Sequence, residues 1–353
     1  MLLLFLLASV QALTCPEYTC KNSNLTFVTQ QCIFYADHTY YLDTCKNSQV
    51  PYCQPTSSDK NITCIPTPPQ KTTGVAWPGE KCQTDSNCAY GACDQGYCNS
   101  KTYNQTCSLD DECNPGLFCN LGKCDFQRLQ GANCTREEEC ANSCTCALDS
   151  SSGMGKCSRY YYLDPGTPID VCNNYKSLAC KSGLCGPGKN GFVCSEPVRS
   201  KYPTPSKCLS DSKCVSEKDS QSNTVFNSTC TCGYNNNGTS YCNLFPGDTE
   251  YDRYLSNLGA WYSSQEINNC NTVRRKNFNC IKDHLDYQGY LKLWYYYNQV
   301  AYYPAIQEND FCTKKIYNQQ YWQAYEEYHG NSGNNTTDNA AMLSTGLVLL
   351  LLS

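Results

Sequence analysis

Histidine, charge and aliphatic runs inside the chain are all scarce here. The 353 residues include three histidines, His38, His284 and His329, far apart in sequence. That leaves little material for a zinc site or an imidazole base. No His-Glu-x-x-His, Gly-x-Ser-x-Gly or Walker loop is present. The run Gly183-Leu184-Cys185-Gly186-Pro187-Gly188-Lys189 has the glycines of a phosphate loop but no following Ser or Thr, so it reads as a cysteine-framed turn. These absences argue against an enzyme, and no catalytic, cofactor or metal residue is assigned. Charged residues make up 17% of the chain, the formal net charge is −5 and there is no basic run, which speaks against a nucleic-acid partner.

Cysteine and tyrosine are abundant. The 31 cysteines are about 9% of the chain, a level that marks disulfide scaffolds in oxidising compartments. Met1 to Ala12 is an apolar run ending in Val10-Gln11-Ala12, the form of a cleaved secretory signal. Ala340 to Leu352 is apolar or small, and as a helix it would reach only about 20 Å, short of a bilayer. It follows the small residues Asn331, Ser332 and Gly333 and a polar spacer, so residues 331–353 read as a lipid-attachment (GPI) signal.

Between these ends, residues 13–64 form a six-cysteine module (Cys15, Cys20, Cys32, Cys45, Cys53, Cys64), and 65–80 a Pro-rich linker. Residues 81–195 hold four cysteine repeats: Cys82, Cys88, Cys93, Cys98; Cys107, Cys113, Cys119, Cys124; Cys134, Cys140, Cys144, Cys146, Cys157; and Cys172, Cys180, Cys185, Cys194. A second linker, 196–206, precedes a fifth repeat at 207–243 with Cys208, Cys214, Cys230, Cys232 and Cys242. An acid stands three residues after the first cysteine in repeats one, two, three and five (Asp85, Asp110, Glu137, Asp211), and a glycine three after the second in repeats one, two and four (Gly91, Gly116, Gly183), the fourth having lost the acid. The acids are expected to cap turns by accepting backbone N–H groups, each unit having too few carboxylates for calcium. Cys144-Thr145-Cys146 and Cys230-Thr231-Cys232 make repeats three and five look like copies, with these cysteines as bridge partners rather than metal ligands. Units this short bury too little to fold on a core, so bridges must substitute. An odd cysteine count leaves one thiol free or bonded to another molecule, giving a possible disulfide-linked dimer. The five-cysteine units imply a bridge crossing unit boundaries.

The spacing Cys-x-x-Asp-x-x-Cys-x-x-Gly-x-x-Cys-x4-Cys, met without a gap from Cys107 to Cys124, resembles the Dickkopf N-terminal type of cysteine-rich repeat. Tandem copies with abundant Asn and Tyr and a lipid anchor are also similar to surface proteins of protozoa. No counterpart of the second, colipase-like Dickkopf domain is present.

Residues 251–330 hold 14 of the 29 tyrosines and three cysteines. Helical spacing at Tyr251, Tyr254, Leu255, Leu258 and Tyr262, at Tyr287, Tyr290, Leu291, Trp294 and Tyr297, and at Tyr317, Tyr321, Ala324 or Tyr325, and Tyr328 predicts a three-helix bundle over 244–330. Asp248 or Thr249 and Asp310 would cap, and Cys312 would pair with Cys270 or Cys280. Sequons at Asn24, Asn61, Asn104, Asn133, Asn227 and Asn237 predict surface glycans. The fold class expected is small disulfide-rich repeats with short β-hairpins, then an α-helical Tyr-rich module, strung out as a stalk on a membrane. The function expected is non-enzymatic adhesion, coat formation or binding of an extracellular protein or glycan; the alternative is a secreted Dickkopf-like antagonist or protease inhibitor.

Overall fold

A computed structural model describes residues 13–20, 31–44, 52–54, 63–65, 75–148, 152–174, 176–309, 313 and 319–331. In the N-terminal module, strand Thr39–Thr44 is central. It pairs antiparallel with Gln31–Ala36 and parallel with Glu17–Cys20. Asp37 and His38 turn the hairpin with φ of 49° and 63°, a left-handed pair that matches the twist of the flanking strands.

Each repeat is a short 3-10 turn followed by a hairpin. The turns are Asp85–Asn87, Asp110–Glu112, Glu137–Glu139, Ser177–Ala179 and Asp211–Lys213, and each ends at the second cysteine of its repeat. The hairpin then carries two later cysteines directly opposite one another, the third and fourth in the four-cysteine repeats: Cys93 and Cys98, Cys119 and Cys124, Cys146 and Cys157, Cys185 and Cys194, Cys230 and Cys242. Opposed cysteines share one face of the hairpin, and both reach back to the turn segment. The first cysteine bridges the third and the second bridges the fourth, as in Cys82–Cys93 with Cys88–Cys98 and Cys107–Cys119 with Cys113–Cys124. Gly91, Gly116 and Gly183 have φ of 73°, 80° and 69° where the chain swings from turn to hairpin, a conformation open to glycine.

The repeats start ahead of their first cysteine. Ala76, Lys101, Arg128 and Leu163 each form a parallel bridge to the second cysteine of the following repeat. Residues 76–80 are therefore part of repeat one rather than linker. The stretch 196–206 is also held: the Ser200 N–H and hydroxyl both donate to Asp248, at 3.0 and 2.7 Å, and Val198 is buried.

Among the described residues the helical module has four full helices where three were expected: α1 (Thr249–Ser263), α2 (Phe278–His284), α3 (Tyr287–Ala301) and α4 (Gln319–Asn331). The short α2 lacks the two-turn stripe on which the periodicity argument relies. Asp286 caps α3 by accepting the Gly289 N–H at 2.9 Å. Asp248 stands at the N-cap of α1, but its carboxylate is spent on Ser200 and Phe245 instead. Cys270 pairs with Cys280, so neither is available to Cys312; Cys312, Asp310 and Tyr317 lie outside the described residues. The main apolar core is here: Trp261, Tyr262, Ile267, Ile281, Tyr290, Leu291, Leu293, Trp294 and Ala324 are buried together. Tyr160 of repeat three is buried in the same cluster, with Tyr161 and Leu178 packed against it.

That shared core overturns the linear stalk. The chain folds back so that repeats one to three sit on the helical module, while Cys15 bridges Cys232 of repeat five across 217 residues. Beside that bridge, Leu13 N–H donates to Leu209 and Tyr18 N–H to Asn235.

Candidate functional site

The sequence-predicted residues fall into three groups: cysteines, acids and surface asparagines. Every cysteine of the five repeats except Cys144, which was expected to be a bridge partner, is in a bridge. The remaining pairs are Cys134–Cys146, Cys140–Cys157, Cys172–Cys185, Cys180–Cys194, Cys208–Cys230 and Cys214–Cys242. The two Cys-Thr-Cys steps are not equivalent. In repeat three the first cysteine, Cys144, is free and buried; in repeat five the second, Cys232, leaves the repeat for Cys15. This is the boundary-crossing bridge that the count implied. Cys144 is 2% exposed, so a bridge between two molecules would have to use another cysteine. Burial pushes its thiol above the ordinary value, against Ser143, Arg159 and Arg275. Cysteine triads such as Cys134, Cys140 and Cys146 bring sulfurs within 4.8 Å of one another. Their sulfurs are in bridges, and a metal ligand must be a thiolate.

Three of the acids do as expected, at longer reach. Asp85, Asp110 and Asp211 accept the N–H of the third cysteine, Cys93, Cys119 and Cys230, at 2.8, 2.7 and 2.7 Å. Each ties its turn to its hairpin. Glu137 does something else. Its carboxylate meets Arg275 at 3.0 Å and Lys276 at 2.7 Å and accepts the Tyr160 hydroxyl. Burial works to raise the Glu137 carboxyl, but Arg275, Lys276 and Tyr160 outweigh it and hold it below its ordinary value. Arg275 is 2% exposed and also donates to the Cys140 and Glu137 carbonyls, at 3.1 and 2.9 Å. Two buried asparagines complete the joint. Asn142 donates to the Ile267 and Cys270 carbonyls, and Asn271 to the Cys113 carbonyl. None of these docking residues stands out by composition or spacing.

Repeat one meets the end of α2. His284 Nε2 lies 2.7 Å from the Gly79 carbonyl, Asp283 accepts the Lys81 N–H at 2.7 Å, and the His284 ring stacks on Tyr97 at 5.4 Å. Gly79 has φ of 92°, and a Cβ there would fall 2.1 Å from the Asn269 carbonyl oxygen, so the contact requires glycine. The Arg274 guanidinium lies over the Trp77 ring at 3.7 Å, beside the Glu80 and Asp111 carboxylates. Burial pushes both carboxyls above their ordinary values: the Trp77 N–H and Arg274 offset this only in part at Glu80, and Arg274 only in part at Asp111. Glu80 Oε1, Asp111 Oδ1 and Arg274 Nε are buried without a hydrogen-bond partner.

Outside this seam a shallow, open cleft of about 630 Å³ is lined by Ala76, Lys81, Cys82, Gln83, Asn87, Gln95, Gly96 and Tyr97. Its lining holds no carboxylate, and the nearby imidazole of His284 is engaged by Gly79.

Of the sequon residues, Asn104, Asn133, Asn227 and Asn237 are exposed; Asn24 and Asn61 lie outside the described residues. Asn331 ends α4, and Ser332 and Gly333 lie beyond the described residues. No described helix is long and apolar enough to cross a membrane. In comparisons with known proteins, no family model, curated protein or solved structure matches the chain.

Proposed function

We propose that this is an extracellular glycoprotein, held at a cell surface by a lipid on Asn331, Ser332 or Gly333, that works without catalysis by adhesion, coat formation or ligand binding. The observation that carries this reading is the structural dependence on sulfur. Repeats one to five each close through two bridges around little else, a design that survives only where thiols are oxidised. A surface pre-ordered by cross-links loses little entropy on binding, which suits display. The spacing of repeat two supports descent from a Dickkopf-type unit; it carries no antagonism with it. The signal-like start, the short apolar end and the exposed sequons support the address.

Treating cells that express the chain with phosphatidylinositol-specific phospholipase C tests the proposal. Release into detergent-free medium on treatment is expected. Full recovery from the medium without treatment would favour the second reading, a released antagonist or inhibitor.

A further inference from the structure

We propose that the cleft of repeat one binds a saccharide bearing a carboxylate, with Tyr97 as the platform under the sugar ring and Lys81 facing the acid. This rests on the reading of the protein as a surface ligand-binder and names the ligand class. The lining is a saccharide site in chemical terms. Sugars present C–H faces and hydroxyl edges. A rigid aromatic ring takes the first, and carboxamides, each both donor and acceptor, take the second. Tyr97 supplies the ring, backed on one side by the His284 imidazole, so it is already fixed before a ligand arrives. Gln83 and Gln95 are exposed on the rim and their carboxamides make no hydrogen bond among the described residues, whereas Asn87 is occupied by the Gln83 and Thr84 N–H groups and the Thr84 hydroxyl. Among the described residues the Lys81 ammonium is in no ion pair, the Asp283 carboxylate being engaged by the Lys81 backbone N–H, and no acid is among the residues lining the cleft. Ala76 is its sole aliphatic side chain, which disfavours a peptide, whose capture uses apolar pockets or a strand edge.

Repeat two provides an internal comparison. It holds the same frame: Thr106 bridges Lys123 as Lys81 bridges Tyr97, and Cys107 N–H donates to Gly122 as Cys82 N–H does to Gly96, each at 2.9 Å. At the positions of Lys81, Gln83, Gln95 and Tyr97 it carries Thr106, Ser108, Leu121 and Lys123. The fold of the repeat therefore does not demand the cleft residues, and they are free to answer to a ligand.

The test uses the full mature chain, secreted from eukaryotic cells, against immobilised hexuronic acid oligosaccharides and their neutral hexose counterparts at two salt concentrations. Wild type is expected to bind the uronate better than the neutral chain, with a preference that shrinks as salt rises. Tyr97→Ala should weaken binding about tenfold or more, as loss of an aromatic anchor does, while Tyr97→Phe keeps it. Lys81→Met should erase the preference for the acid and leave neutral-sugar binding in place. Leu121→Ala, in repeat two, should change nothing, and an unaltered disulfide map shows each variant folded. Absence of uronate binding by wild type, equal binding by Tyr97→Ala, or equally tight capture of an acidic peptide overturns the assignment. Cells that still adhere with Tyr97→Ala and Lys81→Met on their surface would refute the cleft and leave the surface role standing. A chain that never reaches the surface would sink the role itself.

Discussion

Arg275 is the residue on which the docking of repeat three most depends, because its charge is buried and, among the described residues, Glu137 is the carboxylate paired with it. Removing one member of a buried pair strands the other, at a cost of about 3–5 kcal/mol. Arg275→Met is therefore expected to lower unfolding free energy by that order in denaturant titrations, whereas Lys181→Met, which breaks a pair with both side chains more than half exposed, should change it by less than about 1 kcal/mol. Cys144 supplies a second test at this scale. Its burial and raised thiol leave little accessible thiolate. Alkylation by iodoacetamide should be slow in the native chain and fast once guanidinium unfolds it; rapid native labelling would contradict the placement. Residues of this kind were the least legible. Cysteine spacing and the Asp85, Asp110 and Asp211 caps can be read from local pattern, since their partners lie within 8, 9 and 19 residues. Asn142, Asn271 and Arg275 act on carbonyls more than 120 residues away, and nothing local marks them.

At the level of elements, hairpins and turns follow from glycine and cysteine placement, and the long helices from tyrosine periodicity. The short α2 and the difference between the two Cys-Thr-Cys steps did not, since seven residues show no period and adjacent sulfurs do not say which one leaves the unit. The seam between repeat one and α2 yields a pH prediction. Glu80 and Asp111 have raised carboxyls, so their contribution is fully present below the ordinary carboxylate range of about 4 and is lost as pH rises through their folded values. Glu137 has a lowered carboxyl, so its contribution is present above that range and lost as pH falls through its folded value. Hydrogen exchange at residues 76–82 should accelerate from pH 5 to pH 8 relative to the rest of the chain, and Glu80→Gln should remove that trend. Exchange at 137–142 should accelerate toward acid instead. Gly79→Ala should loosen the same seam, because its Cβ collides with the Asn269 backbone; unchanged protection at 76–82 in that variant would refute the close approach.

Over the whole molecule, the chain is a set of cystine units gathered on an aromatic helical core, and the N-terminal module is tied to repeat five by the Cys15–Cys232 bridge. Sequence alone suggests beads on a string, because disulfide connectivity and long-range packing are not written in spacing. The fold-back arises from Tyr160 and from the pins of residues 267–275, which give the repeats an apolar core they cannot build themselves. The measurement that bears most directly on this account is a disulfide map of the unreduced protein by mass spectrometry after proteolysis. The expected map joins, in every repeat, the first and second cysteines to the two opposed hairpin cysteines in that order, links Cys270 to Cys280, leaves Cys144 as a thiol and contains a peptide joining Cys15 to Cys232. A map in which Cys15 pairs within residues 15–64 and the repeats close on neighbouring cysteines would contradict it.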